Sequence, residues 1–214
     1  MADIRWFGHN CFRIRAREAT VMMDPVGKNT GYSMSKQTAD IVTISHQHDG
    51  HTNLTQIKPE FEVLDGPGEY EMHGVFVYGF RTYHDTAKGA DKGYNTIFSV
   101  KMDGIRFTHL GDLGHMPSDD VIEELEGTDV LFVPAGGGPV LPPTQMAELV
   151  GVISPKLVIP MQFQTENGDK DRGEVAEFAR HLGLQVPEER PDKLTLKTSD
   201  LHDKMGIMVL TPSV

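Results

Sequence analysis

The chain has 214 residues and a mass of 23.7 kDa, enough to bury a large core in one domain, and 38% hydrophobic with 24% charged residues is the balance of a globular protein. A net charge of −11 with no basic stripe excludes nonspecific nucleic-acid binding, which depends on Lys and Arg neutralising phosphates. Cys11 is the single cysteine, so no intrachain disulfide can form; with no basic and apolar leader at Met1, and no apolar run near the roughly 20 residues that span a bilayer, a cytoplasmic location is expected.

Up to residue 110 the pattern is that of strands. Short apolar and β-branched runs at 4–7, 11–15 and 20–24 are separated by turn signals. A buried strand at 41–45 then leads into Ser45-His-Gln-His-Asp-Gly-His51. Imidazoles at this density signal a metal site, because neutral imidazole nitrogens are the commonest transition-metal ligands. On an extended chain His46 and His48 project the same way, and the turn through Asp49-Gly50 brings His51 round onto an expected helix start. Further strands are expected at 61–64, 75–83, 96–102 and 105–110. Gly66-Pro67-Gly68 reads as punctuation and Asp103-Gly104 as a hairpin turn.

Beyond residue 112 helices alternate with strands. Ser118 is placed to cap a helix carrying Val121, Ile122 and Leu125, which Gly127 stops. A strand at 129–133 precedes a helix over 143–153 that presents Met146, Leu149, Val150 and Ile153 on one face and ends at Ser154-Pro155. After a strand at 156–161, Asp171-Arg-Gly-Glu174 has the form of a capping box for a helix burying Val175, Phe178, Ala179 and Leu182. Short strands near 193–197 and 206–211 close the chain. No linker, charge block or short-period repeat divides it, so residues 1–214 are expected to form one domain. Two sheets with helices outside them fit this order.

Several of these segments, taken in order, resemble the metallo-β-lactamase-fold hydrolases, and within them the zinc-dependent branch related to L-ascorbate-6-phosphate lactonases. Trp6-Phe-Gly-His-Asn-Cys-Phe12 and Met23-Asp-Pro25 are similar to the opening hairpin and first Asp motif. Residues 45–51 stand in the place of a His-x-His-x-Asp-His motif. Gly66-Pro-Gly-Glu-Tyr-Glu71, Tyr83-His-Asp85, Asn95-Thr96, His109-Leu-Gly-Asp-Leu-Gly-His115, Val133-Pro-Ala-Gly-Gly137 and Ile159-Pro-Met-Gln162 follow in the branch's order. The resemblance covers nearly the whole chain and implies an α+β fold, a four-layer αββα sandwich. It also implies two metals. His46, His48 and His84 would hold the first, Asp112 would be the carboxylate shared by both, and His51 would join it at the second.

The second position departs from the pattern. Gly50 stands where the family has Asp, and Gln162 where it has its last His. Glycine offers no ligand, and an amide oxygen is a poor exchange for imidazole on zinc. Asp49 is adjacent, but a shift of one position redirects the side chain. One zinc held firmly and a second held weakly or not at all is therefore expected, with Mn or Fe as alternatives. The implied activity is hydrolysis of an ester, lactone or phosphoester by a metal-bound hydroxide. Its rival is a catalytically impaired metal-binding or sensing protein that retains the fold; a third reading is a structural subunit that its metal stabilises.

Asp112 and His115 are the candidate catalytic residues, His115 as a proton carrier or a donor to a ligand, although a solvated loop position suits it equally. His9 reads as a structural hydrogen-bonding group or a neighbour of the metals, His109 as packed, and His73, His181 and His202 as surface. Lys88 and Lys92, in the loop after His84, would suit an anionic small-molecule substrate, with loop solvation the simpler account. No nucleic-acid or membrane partner is expected, and a homo-oligomer is left open. Gly136-Gly137-Gly138 lacks the Lys-Ser/Thr of a phosphate-binding loop and suits close backbone approach or a tight turn.

Overall fold

In the computed structural model, which describes residues 1–213, the early strands are β1 (Ala2–Trp6), β2 (Phe12–Arg15), β3 (Thr20–Met23), β4 (Ile41–Thr43), β5 (Glu62–Leu64), β6 (Gly68–Met72), β7 (Val75–Tyr83), β8 (Tyr94–Met102) and β9 (Ile105–His109). Helices then join them: α1 (Asp119–Leu125), β10 (Val130–Pro134), α2 (Pro143–Ile153), β11 (Leu157–Met161), α3 (Val175–His181), β12 (Lys193–Leu196) and β13 (Gly206–Ile207). They form a six-stranded sheet in the order β12-β1-β2-β3-β4-β5 and a seven-stranded sheet in the order β13-β11-β10-β9-β8-β7-β6. Helices α1 and α2 lie in the crossovers that the parallel pairs β9/β10 and β10/β11 require.

Strand direction is what assembles a site. In the first sheet β1, β3, β4 and β5 run one way, against β2 and β12. In the second, β7, β9, β10, β11 and β13 run together, against β6 and β8. The loops that leave their C-terminal ends therefore gather along one edge of each sheet, where parallel strands carry ligands.

One apolar cluster joins both sheets, with Trp6, Phe12, Val21 and Met23 against Val77, Phe98, Phe107 and Phe132, and it continues under α2 through Met146, Leu149, Val150 and Ile153. A smaller cluster gathers Cys11, Met22, Val42 and Ile44 with Val26, Tyr32 and Met34. Met22 sits between Val21 and Met23, and the period of two along a strand sends it to the opposite face. The first sheet is thus buried on both faces.

The α+β sandwich is the one expected, and the helix over Pro143–Ile153 has the expected bounds. Asp103 and Gly104, both at positive φ, turn the chain between Met102 and its partner Ile105, as the dipeptide predicts. Four details differ. The helix expected to begin at His51 is only a 3-10 turn, Leu54–Gln56, because Thr52, Asn53 and Thr55 are poor helix formers and Pro59 keeps Lys58 out of the helical region. The cover over the outer face of the first sheet is irregular chain with this turn and another at Lys28–Thr30; among the described residues every α-helix lies beyond residue 118. Asp171 does not cap α3: the helix opens at Glu174 with no side-chain cap, and the Gly173 N–H is already bonded to the Gly136 carbonyl. Ser118 does occupy the N-cap of α1, though without a side-chain bond. Strand β6 is not among the expected strands, and only its first residue, Gly68, reads as punctuation; its Gly-Glu-Tyr-Glu-Met sequence is the polar, exposed kind that survives only at a sheet edge. Among the described residues no helix is long and apolar enough to cross a membrane.

Candidate metal centre

His9 and Asn10 follow β1, Asp24 follows β3, Ser45 and His46 follow β4, His84 follows β7, Asp112 follows β9 and Gln162 follows β11. All leave strands that run in the shared direction of their sheet, and all converge. Two glycines make the approach of Asp112 possible. A Cβ on Gly111 would lie 2.3 Å from the Asn95 Oδ1, and one on Gly114 would lie 2.3 Å from the His84 carbonyl oxygen. Asn95 then accepts the Asp112 backbone N–H at 2.8 Å.

His46, His48 and His84 offer nitrogens within 4.8 Å of one another. The Asp112 Oδ2 is 3.2 Å from the His84 Nε2 and 3.8 Å from the His46 Nε2. Ser45 holds the other His46 nitrogen, Nδ1, at 2.9 Å and is itself fixed to Asp24, which accepts its backbone N–H at 2.7 Å and its hydroxyl at 2.5 Å. Among the described residues the His46 Nε2 is buried with no hydrogen-bond partner, as is the His84 Nδ1. An orphaned buried nitrogen is unfavourable unless something else satisfies it, and three nitrogens beside a carboxylate oxygen are the donor set of a divalent transition metal. The residues present fit such an ion.

The electrostatics agree. Burial pushes His46 down to about 3, only partly countered by Asp112, so its imidazole is neutral and its lone pair available. Partial burial and the adjacent His84 also lower His48. Burial alone would raise the Asp112 carboxyl, but His51, His84 and His46 outweigh it and hold the group well below the usual carboxylate range. Burial likewise opposes charge on His51, yet Asp112 and Asp24 prevail and raise it. A cation among these groups would take over the role of that proton.

His51 reaches the opposite side of Asp112, with Nε2 at 3.7 Å from Oδ1 and Nδ1 at 3.1 Å from the Asp24 Oδ2. The same Oδ1 accepts from Asn10 at 2.6 Å and from the Gln162 amide at 2.5 Å. Asp49 is exposed and lines a separate groove with Gly27 and Lys28, so it does not take the place of a donor at Gly50. The site opens into a cavity of about 360 Å³ whose walls include His9, His48, His51, His84, Asp112 and Lys92.

Other candidates land elsewhere. His115 is not brought to the site, which corrects its assignment as a catalytic group: its Nε2 accepts the Tyr83 N–H at 3.0 Å, its Nδ1 donates to the Met116 carbonyl, and it is absent from the cavity wall. Both nitrogens are spent on holding a loop. His109 is packed, as expected, between the Asn10 carbonyl and the Gly111 N–H. His73, His181 and His202 are exposed. Of the two loop lysines, Lys92 lines the cavity and Lys88 does not; Asp85 folds their loop by accepting the N–H groups of Ala87, Gly89, Asp91 and Lys92. Gly136 packs against the Gln162 carbonyl, the close approach anticipated for the glycine run. Asn10 and Asp169 were missed, since nothing in their spacing ties them to the histidines.

Residues 3–162 match the β-lactamase superfamily domain. A UPF0173 protein of Pyrococcus abyssi is 28% identical over 202 residues, covering 83% of this chain and 90% of its own. A UPF0173 metal-dependent hydrolase of Thermococcus kodakarensis is 23% identical over 193 residues, covering 77% and 86%. Among solved structures, a Thermotoga maritima protein of the metallo-β-lactamase superfamily superposes with a TM-score of 0.78 at 31% identity, over 99% of this chain and 100% of that one. Igni18, a metallo hydrolase of Ignicoccus hospitalis, shares the fold with a TM-score of 0.70 at 19% identity, over 100% of this chain and 96% of its own. With three-quarters of its length inside the matched domain, a metal-fitting cluster at the strand ends and the same two-sheet sandwich, the chain belongs to the β-lactamase superfamily.

Proposed function

We propose that the protein is a metal-dependent hydrolase of a small ester, lactone or phosphoester, with its principal ion, zinc, held by His46, His48, His84 and Asp112. The observation that carries this reading is the orphaned Nε2 of His46, buried beside two further imidazoles and an ionised carboxylate, His48, His84 and Asp112, that themselves line a cavity. The ion would supply Lewis acidity, acidifying a water and polarising the oxygen of the bond to be cleaved. The chain supplies the rest. Ser45 and Asp24 fix the His46 ring, and Asn10 and Gln162 hold Asp112 in place. Lys92 places an ammonium on the cavity wall, which favours an anionic substrate.

The second position lacks donors at Gly50 and has an amide at Gln162, and this favours the rival reading of an impaired, metal-binding or sensing protein. A panel of lactones, carboxylic esters and phosphodiesters, assayed with the zinc-loaded chain and with His48→Ala, separates the two. Turnover by the wild type that the variant loses supports hydrolysis. Firm zinc binding with no turnover on any class would leave the sensing reading.

A further inference from the structure

Although the motif donors are missing at 50 and 162, the fold brings another imidazole to the same place. His9, His51 and Asp112 present ligand atoms within 4.8 Å of one another, and the His9 and His51 rings lie 4.9 Å apart. Both rings are oriented in one way. Asp24 holds the His51 Nδ1 at 3.1 Å, and Asp169 holds the His9 Nδ1 at 2.9 Å. A carboxylate on one ring nitrogen fixes the tautomer and leaves the other nitrogen as a free, more basic donor, the arrangement that supports metal-ligating histidines. Among the described residues the hydrogen-bond contact of the His9 Nε2 is with the Gln162 amide, at 3.4 Å.

Position 50 adjoins His9. A Cβ at position 50 would lie 3.8 Å from both the Cδ2 and the Nε2 of His9. A side chain at position 50 would thus start in ordinary contact with the His9 ring, so the two positions face the same part of the cluster. The backbone is bent around this cluster: His9, Asp24, Gln162 and Asp169, which all contact it, are non-glycine residues with φ between 44° and 53°. Left-handed conformations of this kind persist where surrounding structure imposes them and concentrate at functional sites.

Gln162 completes the picture. It is fully buried, its Oε1 has no partner among the described residues, and its Nε2 faces both the Asp112 Oδ1 and the His9 Nε2. In that orientation the amide nitrogen occupies the ground between two acceptors. A half-turn about the Cγ–Cδ bond would exchange nitrogen for oxygen and offer the same place a further oxygen donor.

We propose that His9, His51 and Asp112 form a second divalent-cation site beside the first, with His9 replacing the ligand that Gly50 cannot supply. The site rests on the metal assignment of the proposed function and deepens it, since Asp112 would be shared. With two imidazoles and one shared carboxylate it binds its ion more weakly than the three-imidazole site.

The test is stoichiometry, read without any substrate. Zinc titration by calorimetry into the metal-stripped chain should show two steps, the second at least about tenfold weaker, and cadmium-113 NMR of the loaded chain should show two resonances. His9→Ala should keep the first step and its resonance and lose the second. Asp169→Asn should weaken the second step by about tenfold while sparing the first. Gly50→Asp placed in the His9→Ala chain should restore two steps, because the carboxylate then has the vacated space; retention of the first step in each variant reports an intact fold. A wild type that takes a single ion, a His9→Ala chain that keeps two or loses both, or a Gly50→Asp rescue that fails overturns the site. Failure of the hydrolase panel with two ions bound would count against the hydrolysis alone, whereas a chain that binds no ion defeats both.

Discussion

At the scale of single residues, the site depends as much on what holds the ligands as on the ligands. Ser45 is not a donor to the expected ion, but its bonds to Asp24 and His46 fix which nitrogen of His46 faces Asp112. Ser45→Ala should weaken zinc binding at the three-imidazole position by about tenfold with the fold intact, measured by competition with a chelating dye. An unchanged affinity would show that the ring orients itself. Lys92 acts at longer range: Lys92→Ala should raise KM for anionic substrates several-fold with kcat nearly constant, and the difference should shrink in high salt. Much of this was legible in the sequence. His46, His48 and His51 announce themselves by spacing, and His84 and Asp112 by family motif. His9 did not, because its partners at 51, 112 and 169 are far away in sequence and only strand order joins them. His115 misled because proximity to Asp112 along the chain says nothing of which way a loop turns; the backbone of Tyr83 and Met116 claims both its nitrogens.

At the scale of elements, strand ends and their loops do the positioning. The Asp112 loop packs so closely on His84 and Asp85, just beyond β7, that Gly114 has no room for a side chain. Gly114→Ala should push that loop from His84, lowering zinc affinity and the thermal midpoint together; a variant that binds zinc normally would mean the loop yields without moving Asp112. The long strands and α2 were readable because their apolar residues follow one period throughout and their ends carry turn residues. Strand β6 was not, since an exposed, charged edge strand has no apolar alternation to find. The helix expected to start at His51 gives way to a 3-10 turn because the residues that follow are poor helix formers.

For the whole molecule, two sheets meet through a cluster in which Phe12 and Phe132 lie 4.4 Å apart, ring to ring, with Phe98 and Phe107 also fully buried. Phe132→Ala should lower stability by about 3–5 kcal/mol in chemical denaturation, the range for emptying an aromatic site in a packed core. Because the metal position draws ligands from both sheets, an ion bound there ties them together. At free zinc about a hundredfold above its dissociation constant, linkage adds about 2.7 kcal/mol, which for a chain of this size raises the thermal midpoint by about 5–11 °C. Chelation should abolish that rise, and His48→Ala should not show it. The class and the succession of strands along the chain could be read from the sequence, but the order in which strands pair could not, nor could the covering of the first sheet by irregular chain, since apolar residues there follow no period.

The central claim is that His46, His48, His84 and Asp112 hold the principal metal. It is tested most directly by anomalous diffraction at the zinc edge from crystals of the chain loaded with one equivalent of zinc. The account predicts one dominant anomalous peak within bonding distance, about 2.0–2.3 Å, of three imidazole nitrogens from those residues and of an Asp112 oxygen. A dominant peak elsewhere, or none among these four side chains at full loading, would contradict it.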